Sequence, residues 1–297
     1  MKNFAIIGVG GYIAPRHLEA IKEAGHNLVA AYDNKDSVGI MDRYFPDCQF
    51  FTEFERFESF VDSLKGTPQQ VEFVSICTPN YLHSSHIKFA LSHGAHAICE
   101  KPLVLTTKEL DELVVYEKKY GRNVYTVLQL RVHDAILALK KKIESEGRKD
   151  YKITLDYMTS RGQWYHESWK GDVKKSGGLS TNIGVHFFDM LTWIFGEAKE
   201  VISKSKTADF EAGFVKLEKA DVEWSLTIDR KRLPEAAVKS GKTTFRSIRI
   251  NGEEFEFSEG FTELHKRVYG DILSGKGYGL MEARPAIAIV EQIRGSL

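Results

Sequence analysis

Phe4-Ala5-Ile6-Ile7-Gly8-Val9-Gly10-Gly11-Tyr12-Ile13-Ala14, followed by Asp33 25 residues after Gly8, decides how the first half of the chain is read. Four apolar residues stopped by a glycine make a short buried strand. Residues 14–24 place Leu18 and Ile21 three apart and run into Gly25, the pattern of a helix with a glycine stop. A glycine loop between strand and helix aims backbone N–H groups at an anion and lets a pyrophosphate approach the chain closely. The match to G-x-G-x-x-G is imperfect because Ile13 stands at the third position, whereas Gly8-x-x-Gly11-x-x-Ala14 gives a better set of small residues. Asp33 closes a second strand, Asn27 to Tyr32, where a carboxylate accepts hydrogen bonds from an adenosine ribose and repels a 2′-phosphate. The expected ligand is therefore NAD rather than NADP. The competing reading is a tight strand-to-helix turn with a helix-flanking aspartate.

Outward from this motif, residues 71–77, 95–99 and 123–128 are further apolar runs, with helical patterns over 81–93 and 105–120. Near-continuously apolar strands separated by helices predict a doubly wound parallel sheet covered on both faces. Thr78-Pro79-Asn80 and Glu100-Lys101-Pro102 follow two of these strands, at the carboxyl ends where open α/β sheets bind ligands. An ordinary turn and a solvated lysine are the plainer readings of the two. The second half alternates instead, as in 151–159, with shorter strand candidates at 198–205, 210–217 and 221–229. Asn251-Gly252 between 246–250 and 253–257 signals a type I′ hairpin. Helical patterns cover 180–195 and 281–294. This half predicts an α+β domain with an open antiparallel sheet, and the change of pattern divides the chain into 1–128 and 129–297.

With 41 basic and 41 acidic residues in 297, no face is forced to carry the excess positive charge that nucleic acid needs. No run nears the roughly 18 apolar residues of a membrane span, and the first residues lack a signal-peptide pattern. Cys48, Cys77 and Cys99 show no CxxC pair, and two of them end apolar runs, as reduced buried thiols do. A cytoplasmic protein fits these features. His83, His86, His93 and His96 straddle a helix and a strand without ligand-like grouping, so no metal is expected.

The glycine loop, Asp33, Thr78-Pro79-Asn80 with His83, Glu100-Lys101-Pro102 and Gly184-Val185-His186-Phe187-Phe188-Asp189 together resemble the glucose-fructose oxidoreductase/inositol dehydrogenase (Gfo/Idh/MocA) family. Residues 11–17, Ser160-Arg-Gly-Gln-Trp-Tyr165 and 175–188 resemble the branch that oxidises UDP-N-acetylglucosaminuronic acid at C3 of the sugar, for diacetylated diaminomannuronic acid in bacterial surface polysaccharide. The resemblance covers nearly the whole chain. It implies a Rossmann-like domain that holds NAD through Gly8, Gly10, Gly11, Tyr12, Ile13, Asp33, Thr78, Pro79, Asn80, His83, Glu100, Lys101 and Gln129.

In the second half, Asn182, His186 and Asp189 stand i, i+4, i+7, a polar stripe on an otherwise apolar helix. With the resemblance, Lys101 and His186 become the expected catalytic pair on the C3 hydroxyl, with His186 favoured as base and Asp189 either orienting it or packing. Lys101, Arg161, Tyr165, Lys175, Asn182 and His186 are the expected sugar-nucleotide contacts, while Trp164, Trp169, Lys170 and Lys174 read as surface or packing residues. Gln129 and Arg131, just past the last strand of the first half, are expected to line the cleft. A homotetramer and recycling of the cofactor by 2-oxoglutarate are implied by resemblance. The alternatives are the same chemistry on inositol or another sugar, and a dinucleotide-binding regulator without catalysis.

Overall fold

The computed structural model describes residues 1–257 and 260–296. The chain forms two compact units, the first made of residues 1–104, 108–129 and 262–283, the second of 105–107, 130–261 and 284–297. Apart from residues 105–107, the chain changes unit after Gln129, and it returns to the first unit over 262–283. Nothing in the composition of 262–283 marks that return.

The first unit holds six strands: β1 (Asn3–Ile7), β2 (Asn27–Tyr32), β3 (Gln49–Phe51), β4 (Phe73–Ile76), β5 (His96–Cys99) and β6 (Val124–Thr126). All pairs are parallel, in the order β3-β2-β1-β4-β5-β6. Every residue of β1 and β4 is buried, which is why both sequences are apolar on both faces apart from Asn3 and Ser75. Strand order reverses between β1 and β4, and the crevice beyond their carboxyl ends is where such sheets take dinucleotides. The helix Leu264–Leu273 packs against the helix Ala14–Glu23 that follows the glycine loop. Cys77 and Cys99 are buried and free.

The second unit carries β7 (Tyr151–Thr159), β8 (Ala198–Lys206), β9 (Phe210–Leu217), β10 (Ala220–Thr227), β11 (Thr244–Ile250) and β12 (Glu253–Glu254). Their order is β12-β11-β7-β10-β9-β8. The sheet is mixed rather than antiparallel, because β10 lies parallel to β7. A long helical connection separates β7 from the β8–β9–β10 meander, so no hairpin fixes their relative direction. The turn at Asn251-Gly252 has positive φ at both residues, 53° and 88°, as a type I′ hairpin requires. Alternate residues such as Tyr151, Ile153 and Leu155 face a core with Val222, Trp224 and Leu226, while Lys152, Thr154 and Glu223 are exposed on the other side. Helices Asp134–Glu146 and Val185–Phe195 and the later part of Leu280–Gly295 also contribute to that core. Among the described residues no helix is long and apolar enough to cross a membrane.

Candidate functional site

Gly8 stands at φ +88°, and a Cβ there would sit 2.8 Å from the Cys77 carbonyl carbon and 2.9 Å from the Thr78 nitrogen. Only glycine fits, for both conformational and spatial reasons. Its N–H donates to the Tyr32 carbonyl at 2.8 Å, which ties the loop to the end of β2. Gly10 N–H donates to Asp33 Oδ2 at 2.9 Å, and a Cβ on Gly10 would come within 3.2 Å of that carboxylate. Gly11 packs on the Gly8 and Cys77 carbonyl oxygens. The following helix has Ile13 at its N-cap, which offers no side-chain acceptor to the first-turn N–H groups. Tyr12 is 98% exposed at the tip of the loop.

Asp33 therefore has a double role: its Oδ2 braces the loop, and its Oδ1 accepts the Lys35 N–H at 3.0 Å, which fixes the carboxylate at the end of β2. Thr78-Pro79-Asn80 continues from β4 into a 3₁₀ turn, Asn80–Leu82. His83 is wholly buried, with Nδ1 2.7 Å from the Pro102 carbonyl and Nε2 2.8 Å from the Thr78 carbonyl. It thus joins the segment after β4 to the segment after β5. Burial lowers its pKa, and the two carbonyl contacts oppose that without overcoming it. Thr78 Oγ1 bonds His86 Nδ1 at 2.9 Å.

Glu100 and Lys101 follow β5, Lys101 half-buried and Glu100 buried. Burial alone would raise the Glu100 pKa, but hydrogen bonds from His17 Nε2 at 3.0 Å and His265 Nε2 at 2.9 Å hold it well below the usual carboxylate range. These three groups offer ligand-type atoms within 4.8 Å of one another. Two imidazole N–H donors on one carboxylate account for the grouping as hydrogen bonds. Each charge-assisted bond contributes about 1.5–3 kcal/mol against the cost of burying the carboxylate. Gln129 begins the turn Gln129–Val132, half-buried just past β6. The expected cofactor residues thus gather at the carboxyl edge of β1, β2, β4, β5 and β6, and the crowded glycine cradle with its fixed carboxylate fits a dinucleotide.

In the second unit, Asn182 Nδ2 donates to the Tyr165 hydroxyl at 2.9 Å, so these two expected residues meet. Tyr165 is buried, which raises its pKa. The helix expected over 180–195 opens as a π-turn, Ser180–Gly184, before Val185–Phe195 continues as α-helix. The α spacing of Asn182, His186 and Asp189 therefore does not hold across the whole stripe. Residues 179–192 are all buried except His186, which is half-open. Asp189 is turned inward and pairs bidentately with Arg131, at 2.7 and 3.1 Å, both side chains almost fully buried. Burial raises the Asp189 pKa and Arg131 opposes it. Arg131, expected at a cleft, is buried on Asp189 and lies 5.4 Å from the Trp193 ring centre. Arg161 is exposed and lines a cavity of about 690 Å³ with Gln163, His166, Asp209 and Arg230. Lys175 is exposed on the short helix Val173–Ser176, whose N-cap Asp172 accepts from the Lys174 N–H. His186 belongs to the second unit and Lys101 to the first.

Glu211, on β9, went unread in the sequence, yet its buried carboxylate accepts the Ser180 N–H at 2.8 Å and so fixes the start of the π-turn that carries Asn182. His17, His265 and Tyr269 were also missed. A histidine in a helical pattern gives no sign of the carboxylate it faces when that carboxylate is 83 or 165 residues away.

A parallel sheet with the order β3-β2-β1-β4-β5-β6, a glycine loop at its switch point and an acidic residue at the end of β2 define a dinucleotide-binding Rossmann protein. The model of the oxidoreductase family's NAD-binding Rossmann fold matches residues 2–128, and that of its C-terminal alpha/beta domain matches 149–254. The chain is 49% identical to the WlbA (WbpB) dehydrogenase from Thermus thermophilus in a crystal structure with NAD and UDP-GlcNAcA, with a TM-score of 0.95 over 99% of this chain and 95% of that one. A second structure of that enzyme, with NAD and alpha-ketoglutarate, gives 50% identity and a TM-score of 0.96 over the same shares. A 2,7-anhydro-N-acetylneuraminate hydratase of Mediterraneibacter gnavus is 26% identical over 68% of this chain and 51% of its own length. The chain spans about half the length of curated relatives such as this one. It belongs to the Gfo/Idh/MocA oxidoreductase family, and its first unit is that family's NAD-binding fold.

Proposed function

We propose that this protein oxidises the C3 hydroxyl of UDP-N-acetylglucosaminuronic acid to the 3-keto sugar with NAD. The single observation that carries this reading is near-full-length similarity, at 49% identity, to a dehydrogenase crystallised with NAD and that nucleotide sugar. When bound, NAD supplies the hydride acceptor. Lys101 hydrogen-bonds the C3 oxygen, and His186 takes the hydroxyl proton, since an imidazole changes charge near neutral pH. Tyr165 and Asn182, already hydrogen-bonded to each other, form a polar wall for the sugar. The exposed cations Arg161 and Lys175 take its diphosphate and carboxylate.

The product is a precursor for bacterial surface polysaccharide, and the reaction belongs in the cytoplasm. A homotetramer, formed through the open face of the second unit's sheet, belongs to the same reading. Recycling of NADH by 2-oxoglutarate is part of the same reading, supported by the neighbour crystallised with alpha-ketoglutarate. The test is NADH formation on mixing the protein with NAD and the UDP sugar, with and without 2-oxoglutarate. Lys101→Ala and His186→Ala are each expected to lower kcat by about 100-fold or more. Turnover of inositol with none of the UDP sugar, or near-wild-type rates in both variants, would refute the assignment.

A further inference from the structure

Glu100 is the residue before Lys101, and its carboxylate is engaged on both oxygens. Oε1 accepts from His17 Nε2 at 3.0 Å and from His265 Nε2 at 2.9 Å, and Oε2 accepts the main-chain N–H of Lys101 at 3.2 Å. A carboxylate has no hydrogen to give, so both histidines carry their proton on Nε2. His17 Nδ1 is then an acceptor, and the Tyr269 hydroxyl stands 2.7 Å from it. Tyr269 in turn receives from Ser75 Oγ at 2.6 Å, a residue of β4. One assignment of protons is consistent with all these contacts. All five side chains are buried, and the His17 and His265 rings meet edge-on at 5.2 Å.

Residues 262–283, which return to the first unit, supply two members of the network. His265 and Tyr269 stand one turn apart on Leu264–Leu273, the helix that packs on Ala14–Glu23, and His17 lies on the latter, just past the glycine loop. Two separate helices therefore converge on the carboxylate that holds the Lys101 backbone.

We propose that Glu100, clamped by His17 and His265, is the positioning residue that sets the placement of Lys101 at the sheet edge. This rests on the reading of Lys101 as the residue that contacts the C3 oxygen. The carboxylate does not touch the sugar. It fixes the main chain of Lys101, and the two imidazoles fix the carboxylate.

The test reads Lys101 directly, by trace acetylation with acetic anhydride and mass spectrometry, using the exposed lysines Lys35 and Lys149 as internal standards. His265→Leu removes one clamp, His265→Gln keeps an N–H near the same place, and Glu100→Gln keeps the volume while removing the charge. The relative labelling of Lys101 is expected to change about threefold or more in His265→Leu and in Glu100→Gln, and to return toward wild type in His265→Gln. In turnover of the UDP sugar, His265→Leu is expected to lower kcat about tenfold or more with KM and NAD affinity little changed. Should His265→Leu not fold, Glu100→Gln carries the comparison alone. Unaltered Lys101 labelling in the variants that fold overturns the proposal. Absence of turnover by the wild-type protein refutes the substrate reading instead, and the labelling result still decides the role of Glu100.

Discussion

Asp33 works on both sides of the loop that it faces. It accepts the Gly10 N–H with one oxygen and the Lys35 N–H with the other, so its removal is expected to disturb the loop as well as the ribose contact proposed for it. Asp33→Ser is expected to weaken NAD binding about tenfold or more, and to narrow the preference for NAD over NADP by removing the repulsion of a 2′-phosphate. Fluorescence titration with each dinucleotide checks this, and an unchanged ratio of affinities would remove Asp33 from the selectivity argument. Gly8 permits a stronger expectation. Its φ of +88° and the 2.8 Å approach to Cys77 leave no room for a methyl group. Gly8→Ala therefore loses NAD binding while β1, fully buried upstream of it, keeps the sheet. Loss of the entire fold on circular dichroism, rather than of binding, would show that the turn supports the sheet instead. Both residues were legible in the sequence because their signal is local: a glycine at a strand end, and an acid at the next strand end.

At the scale of elements, legibility follows how far apart the interacting residues are in sequence. β1, β2, β4 and the alternating β7 announce themselves by patterns only a few residues long. β3, with three residues, and the helix Leu264–Leu273 do not, and the parallel pairing of β7 with β10 depends on a crossover that no local pattern encodes. The helix Val185–Phe195 gives a sharper case. Its polar stripe was visible, but the sequence did not reveal that Asp189 faces Arg131 in the core while His186 stays half-open. Breaking this buried pair from one side leaves an uncompensated charge. Arg131→Met is thus expected to cost about 3–5 kcal/mol of stability, whereas Arg131→Met combined with Asp189→Leu recovers most of it. Urea unfolding of the two variants measures the difference. Equal losses in both would mean that the helix depends on Arg131 for packing against Trp193 rather than for charge.

Across the whole molecule, acid is the condition that the buried side chains tolerate least. Burial lowers the pKa of His17, His83 and His86, the last to about 4, and also lowers those of the half-buried His26 and His96. A histidine with a lowered folded pKa binds its proton more readily when unfolded. Its stabilising contribution is therefore complete above the unfolded value near 6.5 and is lost as pH falls toward the folded value. Glu100 has the same sign in a lower window, because its depressed pKa stabilises the fold above about 4.5 and that contribution disappears in stronger acid. Asp189 has the opposite sign, since its raised pKa makes protonation favour the folded state, so it partly offsets the loss near pH 4. Between pH 7 and 4.5 the histidines dominate, and His86 alone contributes about 2–3 kcal/mol of the decline. His86→Gln removes the titration and keeps a polar partner for Thr78 Oγ1, which bonds the ring at 2.9 Å. Urea unfolding at pH 7 and 4.5 is expected to show a smaller acid loss in His86→Gln than in the wild type, by about 2 kcal/mol. An equal loss in the two proteins would place the acid sensitivity in the other histidines with lowered pKa, and His17→Gln makes the corresponding measurement for the most deeply buried of them beside Glu100.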